Sequence, residues 1–163
     1  MQVITRSKVH RRLAAIAIVA ALAVSAVAQI QVRFKGTMHG SDADGEFTGK
    51  TLTVYTIGSG VGTELGQFSF SQTNILDVTN GHDAGNALFI AANKDSISTA
   101  FSGSGHPTAP NEFDIEEDHI ITGGTGRFAG AQGTFKVTRH ASGNTFLTSG
   151  SFDGTITPPG AAH

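Results

Sequence analysis

The sequence predicts an all-β protein, an eight-stranded antiparallel up-and-down barrel preceded by a signal-peptide helix. Three observations lead there. Beyond residue 28 the apolar residues recur at every second position, the period of a strand with one face buried, and no segment of ten or more residues carries the helical period. Gly is abundant, at 21 residues, and Pro scarce, at 4, which fits strands joined by Gly-rich turns. Aromatic content is 11 Phe with one Tyr and no Trp, and Thr and Ser recur where helix-forming runs of Leu, Glu and Lys would otherwise stand. Eight antiparallel strands can close into a barrel wide enough for side chains or one small ligand. A two-sheet sandwich is the competing architecture, because loop lengths do not separate the two.

Residues 1–28 read as a secretory signal peptide. Arg6, Lys8, Arg11 and Arg12 form a basic start, Leu13–Val24 is a continuous apolar run, and Ser25-Ala26-Val27-Ala28 places small residues at the two positions before a cut between Ala28 and Gln29. The run is short for a bilayer-spanning helix, which needs about 20 apolar residues, so no stable membrane anchor is expected after cleavage. No Cys follows it, which excludes a lipoprotein anchor. The expected location is therefore periplasmic or extracellular. The barrel domain is read as 29–157 and the tail as 158–163. Removing the leader changes the charge: the chain has 11 Lys+Arg and 13 Asp+Glu, and what remains has 7 and 13, a net of −6. An acidic surface repels phosphate backbones and argues against nucleic acid. The lack of Cys rules out thiol catalysis, Cys-based zinc sites and disulfide staples, so stability must come from packing.

The strands are expected in order. Ile30–Met38 alternates Ile30, Val32 and Phe34 with Gln31, Arg33 and Lys35, and His39–Gly45 follows as a turn. Phe47–Ile57 is the second strand, with Gly58–Gly66 as a flexible loop, and Gln67–Val78 is the third, with a bulge near Asn74 to reset the parity for Leu76 and Val78. Asn80-Gly81 is a tight-turn dipeptide. Asn86–Asn93 is apolar on both faces, Ser96–Ser102 alternates, and Gly103–Pro110 is a loop. Glu112–Thr122 is a long strand, Gly123–Ala131 a compact Gly-rich connection, and Gln132–His140 places Phe135 and Val137 on one face. Thr145–Thr157 closes the set with Phe146, Phe152 and Ile156 together, and Pro158-Pro159-Gly160 ends it in a frayed tail.

Ile121–Phe135 (ITGGTGRFAGAQGTF) is the most distinctive segment. Gly124–Ala129 fits the loose G-x-G-x-x-G/A dinucleotide pattern, but that fingerprint needs a helix after it, and here a strand follows almost at once. The segment instead resembles the G-G-T-G-x-F-x-x-A-x-G stretch of the dirigent and allene oxide cyclase barrel superfamily. It is most similar to exported bacterial members that combine an apolar A-A-N segment (Leu88–Asn93), the Gly-rich stretch (Gly123–Phe135) and a closing G-T-I strand (Gly154–Ile156). The resemblance implies a calycin-like barrel with a central cavity, and a homotrimer as in the plant members. It carries over no activity: plant members often have Arg where this chain has Ala129 and Gln132, and no cyclase catalytic residue is matched. The Gly residues suit a tight connection.

Asn111–Ile121 (NEFDIEEDHII) supplies the candidate site. One face carries Phe113, Ile115, Glu117, His119 and Ile121; the other carries acids and Ile120. Glu117 and His119 interrupt an apolar face, and if that face lines the barrel a carboxylate and an imidazole stand together in a low-dielectric interior, able to bind a polar group or move a proton. If it reaches solvent near the strand end, they are surface residues. Tyr55 and Arg127 are the further polar candidates for ligand binding. The His residues show no metal spacing, and Asp42-Ala43-Asp44-Gly45 fails the calcium-loop register, so neither metal nor cofactor is expected. There is no G-x-S-x-G elbow. The expected function is a binding barrel for a small apolar ligand, or a structural one. The alternative is a cofactor-independent cyclase or isomerase working in the cavity.

Overall fold

The computed structural model describes residues 30–161. The expected leader, residues 1–28, lies outside them. Eight strands run in sequence: β1 Val32–Phe47, β2 Thr51–Gly62, β3 Gly66–Asp77, β4 His82–Ala91, β5 Ser96–Ala109, β6 Glu112–Gly124, β7 Gly133–Ser142 and β8 Leu147–Ile156. Each pairs antiparallel with the next, and β1 pairs with β8, from Val32 opposite Ile156 to Ser41 opposite Leu147. The barrel is closed, which decides against the sandwich and leaves no free sheet edge.

Alternation sorts the side chains. Phe34, Phe68, Phe70, Phe89, Phe101, Phe135 and Phe152 all point inward and are buried. Their rings interlock, with Phe34–Phe152 centroids 4.8 Å apart, Phe34–Phe135 5.1 Å and Phe68–Phe89 5.8 Å, in tilted and edge-on arrangements that suit aromatic quadrupoles. Inward glycines make the room. A Cβ on Gly36 or Gly62 would stand 2.6 or 2.7 Å from the Phe152 ring, and one on Gly58 or Gly60 would stand 2.5 Å from Phe70 or Phe68. The rings therefore lie on bare backbone of neighbouring strands.

The two barrel ends differ. At one end the β6–β7 connection folds into a single 3-10 turn, Gly126–Phe128, which drives Phe128 into the interior, fully buried with Leu65, Ile97 and Ile156. Arg127 braces this plug: its backbone N–H donates to Asp95 Oδ2 at 3.2 Å, its carbonyl accepts from Gly160 N–H at 2.8 Å, and its Nη2 reaches the Leu65 carbonyl at 3.5 Å. The opposite end is ringed by the β1–β2, β3–β4, β5–β6 and β7–β8 turns, and among the described residues no helical turn enters it.

Several local expectations change. HGSDADG, read as a turn, lies within β1, and the Gly58–Gly66 and Gly103–Pro110 loops belong largely to β2 and β5. In β2 the small residues that look like turn formers are inner-wall positions under large rings, Gly58 under Phe70 and Gly60 under Phe68, while Gly40 of β1 and Gly103 of β5 lie against the backbone of a neighbouring strand. No bulge occurs near Asn74; the alternation of β3 continues, turning Gln72 and Asn74 inward and Ile75 outward. Extra residues occur instead at Thr122 on β6, where pairing steps from Ser98–Gly123 to Thr99–Ile121, between Pro107 and Ala109 on β5 and between Asp44 and Phe47 on β1. Phe146 sits in the β7–β8 turn at φ 58°, half exposed, rather than with Phe152 and Ile156. Pro158–Ala161 turns back onto the plug through the Gly160 bond to Arg127 instead of fraying.

Candidate functional site

Above the phenylalanine layers, towards the unplugged end, the interior turns polar. The inner faces of six strands deliver Thr56 (β2), Gln72 and Asn74 (β3), Asp83 (β4), Thr99 (β5), Glu117 and His119 (β6), and Arg139 (β7), all buried. Glu117 is fully enclosed at 0% exposure and His119 at 1%. The apolar face of Asn111–Ile121 does line the barrel, and both groups sit inside it.

Glu117 is the hub. Its Oε1 accepts from Gln72 Nε2 at 2.8 Å and Arg139 Nη2 at 2.9 Å, and its Oε2 accepts from Arg139 Nε at 3.3 Å. That is a two-pronged guanidinium–carboxylate pair, the strongest geometry for these groups. Arg139 Nη1 continues to Thr148 Oγ1 at 3.2 Å and stands 3.8 Å from Asp42 Oδ2, whose other oxygen accepts from Thr56 Oγ1 at 2.6 Å. Burial alone would raise the Glu117 pKa; His119 beside it and the Arg139 charge outweigh burial and hold it down at about 2. The same carboxylates keep Arg139 charged against its own burial.

His119 is fixed by stacking. Its ring lies between Phe101 and Phe135, 4.7 Å from each and 21° and 18° from parallel. Nδ1 meets Thr99 Oγ1 at 3.0 Å, while Nε2 faces Glu117 Oε2 at 3.7 Å with no hydrogen-bond partner.

Asp83 is the second carboxyl of the layer. It pairs across the sheet with Gly103, which in turn pairs with Glu117, so the two acids flank a position without a side chain. Asn74 Nδ2 donates to Asp83 Oδ2 at 3.2 Å, and Asp83 Oδ1 and Asn74 Oδ1 have no partner. Burial, with the Glu117 charge added, pushes Asp83 up to about 6. Two neighbouring carboxyls thus have pKa values driven apart, one held as the anion and one able to carry a proton near neutrality.

The four candidates from the sequence are not brought together. Glu117 and His119 share the buried layer. Tyr55 projects from the outer face of β2, 48% exposed, and Arg127 braces the plug at the other end of the barrel. Asp83, Arg139, Gln72 and Asn74 are the members sequence reading missed. Arg139 was within reach: Phe135 and Val137 already define the inner face of β7, and two more residues along that parity is Arg139. Gln72 and Asn74 share the parity of Phe68 and Phe70, and the expected bulge hid them. No protein-family model matches the chain, and no curated protein matches it.

Proposed function

We propose that this chain is an exported binding barrel that takes a small, largely apolar molecule at its unplugged mouth, with the polar end of the ligand meeting the buried layer beneath. The observation that carries this reading is the set of buried polar atoms without partners, His119 Nε2, Asp83 Oδ1 and Asn74 Oδ1. An unpaired buried polar atom costs about 1–3 kcal/mol, and folding alone gives no reason to keep three in one layer. Just outside it, Leu52, Val54, Leu76 and Ile115 are half-buried and offer apolar contact. The plugged half is occupied by interlocked phenylalanines, so the place for a ligand is the mouth rather than the barrel's full length. The signal-like leader and the resemblance to the allene oxide cyclase and dirigent barrels support export and a ligand-holding role. Titration with Nile red, a neutral apolar dye, tests it: saturable one-to-one binding that Ile115→Trp abolishes, with the circular dichroism of a folded barrel retained, is expected. Unsaturable partitioning that ignores Ile115→Trp overturns it.

A second reading, a cofactor-independent isomerase or cyclase, is favoured by the divided pair. Asp83 would exchange a proton with a bound substrate while Glu117 and Arg139 hold the charge around it. Deuterium uptake from solvent into an acidic C–H of a bound ligand, lost in Asp83→Asn, is its expected signature. Uptake equal to the buffer rate in the native protein rejects it.

A further inference from the structure

This inference rests on the binding reading above and narrows it to a ligand class. The layer and its rim hold three carboxyl groups, the buried Asp83 and Glu117 and the partly exposed Asp42, and one guanidinium, Arg139. That cation is committed: Nε and Nη2 go to Glu117, and Nη1 goes to Thr148 with Asp42 3.8 Å away. Asp83 takes its hydrogen bond from the neutral amide of Asn74, with the Arg139 charge acting on it from farther off. The pair then presents two free acceptors, Asp83 Oδ1 and Asn74 Oδ1, on side chains only 3% and 4% exposed. Both vacancies call for a donor, and the excess of carboxyls calls for a positive one.

The surroundings favour such a group. The strand ends around the mouth carry Asp44, Glu46, Asp77, Glu112 and Asp114, against Lys50 beside Asp77 and His140 beside Glu112 and Asp114, a net acidic potential that draws cations towards the opening. A primary ammonium matches this: it is compact, carries three donors and accepts none.

We propose that the barrel binds small primary ammonium compounds, the ammonium donating to Asp83 Oδ1 and Asn74 Oδ1 and its apolar substituent resting on Leu52, Val54, Leu76 and Ile115 at the mouth. Binding requires the Asp83 anion. Glu117 of β6, Arg139 of β7 and Asn74 of β3 face Asp83, and Asp42 of β1 and His119 of β6 join the layer through Arg139 and Glu117. Because burial and Glu117 lift Asp83 to about 6, affinity for an amine rises from pH 5 to pH 7 and then levels.

Calorimetric titration of the mature chain with octylamine, octanol and octanoate separates the outcomes. At pH 7 the amine is expected to bind at least tenfold more tightly than octanol, with octanoate weakest, and Asp83→Asn to bring the amine-to-octanol ratio close to one. Equal binding of all three overturns the ammonium assignment and leaves the apolar mouth standing. Absence of binding by all three overturns both. Should Asp83→Asn fail to fold, the native protein still decides. A severalfold gain for octylamine from pH 5 to pH 7, with octanol flat, supports the assignment, and a flat amine profile overturns it.

Discussion

Arg139 is buried at 4% exposure, and its charge is matched mainly by Glu117. Removing one partner of such a pair leaves a naked charge in low dielectric, at a cost of about 3–5 kcal/mol. Arg139→Met is therefore expected to lower unfolding stability in urea by that amount, and to lose much less once Glu117→Leu is added. A single variant within about 1 kcal/mol of the native protein would show that water replaces the guanidinium. Asp83 and Glu117 give the layer opposite pH responses. The Asp83 pKa is raised on folding, so its contribution is complete below about pH 4 and is lost as pH rises through about 6. The Glu117 pKa is lowered, so its contribution is complete above about 4.5 and is lost as pH falls towards about 2. Asp83→Asn should remove the decline between pH 4 and pH 7, read as the difference between native and variant urea midpoints across that range; parallel profiles would contradict it. Glu117 and His119 were legible because the parity of β6 is unbroken up to Thr122. Asp83 was not, since its significance comes from Glu117 beyond the intervening β5, a neighbour that strand order alone supplies.

At the scale of elements, the plug and the Gly-rich strands carry the lesson. Phe128 is completely enclosed by the 3-10 turn that Gly126 permits at φ 56°, with Asp95 packed where a Cβ would stand. Phe128→Ala should cost about 3–5 kcal/mol, the usual range for emptying a buried aromatic site. Arg127→Ala should cost far less, because two of the Arg127 bonds are made by its backbone. Urea denaturation of the two variants checks the order, and equal losses would mean the guanidinium itself holds the plug. The distinctive Gly123–Phe135 stretch is thus a stopper, and its sequence conspicuousness reflects geometry. Composition misled at Gly58–Gly66 and Gly103–Pro110, where runs of Gly and Ser resemble loops. Gly58 and Gly60 face rings of β3 and Gly103 lies against the β6 backbone, relations between segments that local sequence does not record.

The whole molecule is divided in its outer surface. The outer faces of β6, β7, β8 and β1 carry cross-strand charge pairs, among them Lys136 with Asp118 at 3.2 Å and Arg33 with Asp153 at 2.6 Å. The outer faces of β2 to β5 carry Ser, Thr and Ala with exposed Tyr55, Ile57, Val61 and Ile75. Exposed apolar side chains grouped on one wall mark a surface suited to self-association. We propose that this wall carries a trimer contact: light scattering of residues 29–163 should give a trimer mass, falling to the monomer on Ile57→Lys with Ile75→Lys, and a monomeric native protein would remove the trimer.

By itself the sequence determined the strand count, the all-β class and which residues share a face of β6, because period-two alternation is a local property that each segment carries regardless of its partners; that this face turns inward was decided by the closed barrel. Tertiary structure alone decided that β8 returns to β1, that one end is stoppered, and that Asp83 and Arg139 meet Glu117. Those facts depend on how far each strand is staggered against the next, and closing the sheet sets that stagger for all eight strands together.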